Sequence, residues 1–167
     1  MGKVIAIANQ KGGGGKTTTS INLSASLSSK GKKVLVIDAD PQGNTTSGFG
    51  VEKNDLENTI YELMLSECSI KECILNNVIP DVSIIPSNVN LAAAEIELIG
   101  IDRKEFILKR EVEWIKESYD YIIIDLAKDN EENFNKEILK KSYTNFVLLE
   151  PNLLGVKESK KLLVQYI

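Results

Sequence analysis

The sequence predicts a doubly wound α/β fold: a mainly parallel sheet of about five strands, flanked by helices on both faces. Three observations carry this reading. Short runs rich in β-branched residues alternate with helical segments along the chain. Three of those runs are nearly continuous in apolar residues, the pattern of strands covered on both faces of a parallel sheet. A glycine-rich loop joins the first run directly to the first helical segment.

The strands read in order as Val4-Ile5-Ala6-Ile7-Ala8, Val34-Leu35-Val36-Ile37, Val82-Ser83-Ile84-Ile85, Tyr121-Ile122-Ile123-Ile124 and Phe146-Val147-Leu148-Leu149. The first, second and fourth are the near-continuous ones. Between the first two, residues 17–29 pair Ile21 with Ala25 and Leu23 with Leu27 at helical spacing, and Gly31 follows as a stop. Thr59-Ile-Tyr-Glu62 and Ser69-Ile-Lys-Glu72 read as capping boxes, which start helices. Residues 89–99 place Leu91, Glu95 and Leu98 in helical register. Asp102-Arg-Lys-Glu105 is a further box-like start, before a helix with Leu108, Val112 and Ile115 on one face. Phe134 and Ile138 mark a helix ahead of the fifth strand, and Val156, Leu163 and Tyr166 mark a last one over 155–166. There are no repeats and no linker. The text stops inside an uncapped amphipathic helix, so either that helix is terminal or the domain is incomplete; the expectation is one domain over 1–167, incomplete at its C-terminus.

Composition removes several chemistries. The 167 residues include no His, which excludes Ser-His, Cys-His and His-metal sites within the chain. Two Cys exclude a four-cysteine zinc site, and Cys68 and Cys73 read as a reduced pair in a surface segment. No stretch approaches the length of a transmembrane helix, and Met1-Gly2-Lys3-Val4-Ile5 lacks the form of a signal peptide. Gly2 does not read as a myristoylation site, because Ala6 stands where that motif has Ser or Thr. A cytoplasmic protein without membrane attachment is expected. The net charge of −4 gives no support to a mainly phosphate-binding surface and leaves room for local basic patches. Lys30/Lys32/Lys33, Lys157/Lys160/Lys161 and the charged run Lys128 to Lys136 read as solvated faces.

The chemistry lies in Gln10-Lys11-Gly12-Gly13-Gly14-Gly15-Lys16-Thr17, which leaves the first strand and opens the first helix. Packing does not account for four consecutive glycines, each of which costs about 1 kcal/mol relative to Ala in regular structure. Such a loop can turn backbone N–H groups inward around an anion, at a helix N-terminus whose dipole favours negative charge. Lys16 can then reach the β and γ phosphates, and the Thr17 hydroxyl can ligate Mg2+. The general pattern has Gly five positions before Gly15. Gln10 stands there, and Lys11 is an added lysine at the loop's start.

Asp38, Asp40 and Asp125 end buried strands on the sheet edge that carries the loop, where ligands of open α/β sheets bind. A carboxylate buried there needs a cation or donors nearby. Each can instead serve as a turn or helix cap, Asp38 most of all. Asp38 also lies at the distance from the glycines that a dinucleotide-binding oxidoreductase uses to hold ribose. That reading leaves Gly-Lys-Thr unexplained, and Gly12-x-Gly14-x-x-Thr17 lacks the third Gly.

Lys11-Gly-Gly-Gly-Gly-Lys16-Thr17 resembles the deviant Walker A motif of the ParA/MinD superfamily of P-loop ATPases. Ala8-Asn9-Gln10 and Val36-Ile37-Asp38-Ala39-Asp40-Pro41-Gln42-Gly43-Asn44 resemble its ParA/Soj branch, as do Asn90-Leu91-Ala92 and Glu95-Ile96-Glu97-Leu98. That branch partitions chromosomes and plasmids. The resemblance runs from Met1 to Asp125 and implies a P-loop NTPase fold with ATP and Mg2+ as cofactors. Gly12, Gly13, Gly14, Gly15 and Lys16 would cradle the phosphates within one subunit. Lys11 would reach across an ATP-bridged homodimer to the partner's nucleotide. Thr17 would ligate Mg2+, and Thr18 would lie near the α-phosphate. Asp40 would be the catalytic-loop acid that positions the attacking water, grouped with Thr17 and Asp125 around the metal. Asp125 would be the Walker B acid. The implied reaction is slow phosphoryl transfer to water, with Lys11 acting in trans as an arginine finger does. A ParB-like partner and nonspecific DNA are implied too. The basic region that binds DNA in the family lies beyond the matching part, as does the membrane-targeting helix of the MinD kind.

The match breaks after Asp125. The branch typically reads Cys-Pro-Pro-Ser there, whereas this chain reads Leu126-Ala127-Lys128-Asp129. From there to Leu154 the chain looks more like pilus-assembly ATPases of the same superfamily. A noncatalytic or weakly hydrolysing nucleotide-binding interaction module is therefore the alternative expectation. Nitrogenase-like iron proteins of the superfamily need a cluster cysteine after this strand, and no Cys follows Cys73.

Overall fold

The computed structural model describes residues 2–8 and 15–127 and the backbone of 144–147. Asn9–Gly14, the helices expected around Phe134 and over 155–166, and the lysines beyond 127 lie outside the described residues. The strands are β1 (Lys3–Ala8), β2 (Val34–Ala39), β3 (Leu75–Ile79), β4 (Val82–Ile85), β5 (Tyr121–Leu126) and β6 (Thr144–Val147). The helices are α1 (Lys16–Ser28), α2 (Asn44–Gly48), α3 (Ile60–Met64), α4 (Leu91–Glu97) and α5 (Ile107–Ile115). The sheet order is β3-β4-β2-β5-β1-β6, and every neighbouring pair is parallel except β3–β4.

All five expected strands are present, the last beginning two residues ahead of its apolar run. The sixth, β3, is an antiparallel edge strand where the sequence suggested a helix. The Ser69–Glu72 box does form: the Ser69 N–H and Oγ both donate to Glu72 Oε2, at 2.8 and 2.7 Å. Only turns follow it, since the chain must reverse into the β3–β4 hairpin. The Thr59–Glu62 box caps α3 as expected, with Thr59 N donating to Glu62 Oε2 at 2.7 Å. The third box-like start, at Asp102, gives a single 3-10 turn, Lys104–Phe106, before α5.

The central strands are apolar throughout because both faces are covered. On one face Leu35, Ile37, Ile122, Ile124 and Leu126 join Ile60 and Leu63 of α3 and Leu108, Val112 and Ile115 of α5. On the other, Ile7, Val34, Val36 and Ile123 meet Leu23 and Leu27 of α1. Full burial of each such Ile or Leu contributes about 2 kcal/mol.

Helix α1 faces the sheet differently from its leucine spacing. Its buried positions are Lys16, Ser20 and Ser24, while Ile21, Leu23, Ala25 and Leu27 are half-buried. Ser20 Oγ donates to Lys16 O at 3.0 Å and Ser24 Oγ to Ser20 O at 2.6 Å, so neither hydroxyl is left unpaired. Cys73 is also core rather than surface. It is fully buried with Cys68 half-buried beside it, their Sγ atoms 3.0 Å apart, both thiols free and both pushed up in pKa by burial.

Candidate functional site

The carboxyl ends of β1, β2 and β5 lie side by side, and the chain emerging from β1 returns as α1 over the same edge. Gly15 precedes α1 at φ +81°, a left-handed conformation that favours glycine. The turn it makes brings the first residues of α1 beneath the end of β5. Lys16 is buried there, and its positive charge lowers the pKa of Asp125. Thr17 Oγ1 donates to Asp125 Oδ2 at 3.4 Å. Thr18 faces solvent on the next position. The structure thus brings Lys16, Thr17 and Asp125 together and leaves Thr18 at the rim. Lys11 through Gly14 fall outside the described residues.

Asp38 and Asp125 are register partners on neighbouring parallel strands, and both are buried. Asp38 is saturated. Its Oδ1 accepts from Asp40 N at 3.2 Å, and its Oδ2 accepts from Thr46 N at 2.8 Å and Thr46 Oγ1 at 2.7 Å. Thr46 Oγ1 in turn accepts from Ser87 N at 2.9 Å, tying the exit of β4 to α2. Asp38 therefore caps the turn and the short helix that follow β2. Burial pushes its carboxyl up to about 6, against the lowering effect of the Thr46 hydrogen bonds.

Asp125 is open by comparison. Its Oδ2 accepts from Thr17 and, through a short hydrogen bond, from Thr45 Oγ1. Its Oδ1 is buried and has no hydrogen-bond partner among the described residues. Burial raises the Asp125 pKa, with the Asp40 charge adding to the rise, while Thr45, Lys16 and the Ser20 hydroxyl oppose it. Asp40 is partly buried just past β2. Its Oδ1 accepts from Gln42 N at 2.9 Å and its carbonyl from Gly43 N at 2.9 Å, which closes a tight turn into α2. Gly43, at φ +59°, also allows a close approach: a Cβ there would lie 2.7 Å from Ser87 O.

Thr45, Thr46 and Ser87 are site residues that the sequence reading passed over. The available signal was a polar Thr-Thr pair two residues beyond Gly43, in a segment too short to bury it without a function for each hydroxyl.

A magnesium ion fits this arrangement. An unpartnered buried carboxylate oxygen and a neighbouring hydroxyl are hard oxygen donors. No group of three or more His, Cys, Asp or Glu side chains converges among the described residues. That suits a cation that rests on few protein ligands, phosphate oxygens and waters. Also among the described residues, no helix is long and apolar enough to cross a membrane.

Fold and site together define a P-loop NTPase domain of the doubly wound α/β class. The family model described as "AAA domain" matches residues 2–165, and the chain belongs to that family. Within it, the ParA/Soj resemblance holds. Over 125 residues, the chain is 50% identical to the sporulation initiation inhibitor protein Soj of Bacillus subtilis, covering 75% of this chain and 49% of Soj. The chain spans about half the length of the curated relatives it matches. A plasmid partition protein from Borrelia burgdorferi superposes with a TM-score of 0.87 at 31% identity, covering 99% of this chain and 74% of that one. Cobyrinic acid a,c-diamide synthase from Mycobacterium smegmatis, solved with a bound ATP analog and magnesium, superposes at 0.91 with 28% identity, covering 99% and 67%.

Proposed function

We propose that this chain binds ATP with Mg2+ at the edge formed by Gly12–Thr18, Asp40 and Asp125, and that it acts as a ParA-type ATPase in chromosome or plasmid partition. The observation that supports this most is Asp125. It is a buried strand-end carboxylate that accepts from Thr17, has one oxygen unpartnered among the described residues, and feels the charge of Lys16. When bound, Mg2+ would neutralise phosphate charge during transfer to water.

The protein's own part is positioning. Main-chain amides of Gly12–Gly15 and the Lys16 ammonium hold the phosphates, Thr17 orients its hydroxyl against Asp125, and Asp40 orients the attacking water. Lys11 enters the partner's site in an ATP-bridged homodimer, so hydrolysis depends on dimerisation. No His is required. A ParB-like partner and nonspecific DNA are the expected stimulators, in the cytoplasm.

A second reading rests on the chain after β5. The similarity to Soj covers 125 of the 167 residues, and the text that follows Asp125 is Leu126-Ala127-Lys128-Asp129. On that reading the chain binds nucleotide and dimerises but hydrolyses poorly.

The test is equilibrium binding of a fluorescent ATP analogue in Mg2+, with sedimentation to follow dimerisation, for wild type and Lys16→Ala at matched circular dichroism. Binding that is lost in Lys16→Ala supports the proposal, and a wild type that binds no nucleotide overturns it. Turnover stimulated by DNA and a partner protein favours the first reading. Retention of ATP without turnover favours the second.

A further inference from the structure

We infer that Thr45 is a positioning residue that selects which oxygen of Asp125 faces the magnesium ion. The inference rests on the magnesium-nucleotide reading above and assigns a residue outside the motif on which that reading was built.

Thr45 is fully buried on α2, and its hydroxyl donates to Asp125 Oδ2, the same oxygen that Thr17 addresses at 3.4 Å. A carboxylate oxygen has two lone-pair directions, and two hydroxyl donors fill them. Oδ1 is then the only oxygen left for a cation or its water, and it is the atom without a partner among the described residues. A single donor would let the carboxylate rotate and exchange its oxygens, whereas two donors from different helices fix it. Thr17 gives its one proton to Asp125, so its own lone pairs stay free to face the metal.

Thr45 is itself held. The next residue, Thr46, donates to Asp38 through N–H and hydroxyl, at 2.8 and 2.7 Å, and accepts from Ser87 N. Two successive threonines thus engage two aspartates at neighbouring strand ends. The helix they sit on follows directly from the Asp40 turn, so the setting of Asp125 is coupled to the segment that carries Asp40.

The test is the Mg2+ dependence of fluorescent-nucleotide binding by the whole chain, for wild type, Thr45→Val and Thr45→Ser. The same binding is measured in EDTA, and thermal midpoints are followed by circular dichroism. Thr45→Val keeps the shape and loses the donor. It is expected to raise the Mg2+ concentration for half-maximal effect about tenfold, as loss of a partner to a metal-ligating carboxylate does. Affinity in EDTA should not move, and Thr45→Ser should restore the wild-type Mg2+ response. A Thr45→Val titration matching wild type overturns the inference, as does a loss of equal size in EDTA or a Thr45→Ser variant impaired like Thr45→Val. Should Thr45→Val not fold, Thr45→Ala against Thr45→Ser provides the same contrast. The Thr45→Val and Thr45→Ser outcomes overturn the inference alone. A wild type that binds nucleotide without any response to Mg2+ overturns the magnesium part of the proposed function with it, and one that binds no nucleotide overturns the proposed function whole.

Discussion

The ends of β2 and β5 present the same residue, in register, on the same face and equally removed from water, yet they are finished differently. Asp38 takes three hydrogen bonds from its own loop and helix and closes a structural joint. Asp125 takes the Thr17 and Thr45 bonds on one oxygen, and its other oxygen has no hydrogen-bond partner among the described residues. Sequence position alone assigns both to the ligand edge of the sheet. The difference lies in how many donors the neighbouring segment supplies, and that number separates a residue that maintains the fold from one that is available for chemistry.

The contrast can be strained first at the two threonines, with urea unfolding in EDTA as the measurement. Thr46→Val removes a donor from a buried carboxylate and strips Ser87 N of its acceptor, so a loss of about 3 kcal/mol is expected. Thr45→Val removes one donor from an oxygen that keeps another, and about 1 kcal/mol is expected. Equal losses would mean that the two strand ends are not finished differently.

Acidity gives the next handle. Asp38 has a folded pKa of about 6 against an ordinary 3.8, so between those values the folded chain holds a proton that the unfolded chain releases. Stability should therefore fall as pH rises from about 4 to about 6, by about 2 kcal/mol, and level off above. Asp38→Asn should reduce that slope, leaving the part of the same sign that comes from Asp125. An unchanged slope in the variant would place the titration elsewhere.

The smallest expected change belongs to Asp125→Asn. In EDTA it should raise the unfolding free energy in urea slightly, by less than about 1 kcal/mol, because it removes a buried charge that lacks a full set of donors among the described residues. The same variant should lose the Mg2+ response of nucleotide binding. A marked loss of stability would show that Asp125 is a structural joint like Asp38.

Much of this was legible in the sequence. The continuous apolar runs of β1, β2 and β5 mark central strands because only strands covered on both faces can dispense with polar alternation. β3 was not legible. Leu75-Asn76-Asn77-Val78-Ile79 has two exposed asparagines, and Asn77 sits at φ +54° where the pairing is irregular. Its strand character comes from β4 alone. The buried face of α1 was hidden for another reason. Serines that bond their own i−4 carbonyls behave as small apolar residues, which no hydropathy pattern reports. At the site, Lys16, Thr17 and Asp125 were readable from motif chemistry. Asp38 was legible as a cap, but the threonines that donate to Asp125 and Asp38 were not, because Thr45 and Thr46 acquire their roles only when α2 folds back over the strand ends.

The two serines of α1 also limit the site from a distance. Ser20 and Ser24 are fully buried on the inner side of the helix, between Lys16 and the Leu23 and Leu27 that pack against the strands, so the helix has little room to move at those two positions without moving Lys16 and Thr17 relative to Asp125. Bulk introduced at Ser24, two turns away, would lever the first turn outward. The setting of this site thus depends partly on two serines outside the glycine-rich motif whose virtue is their small size.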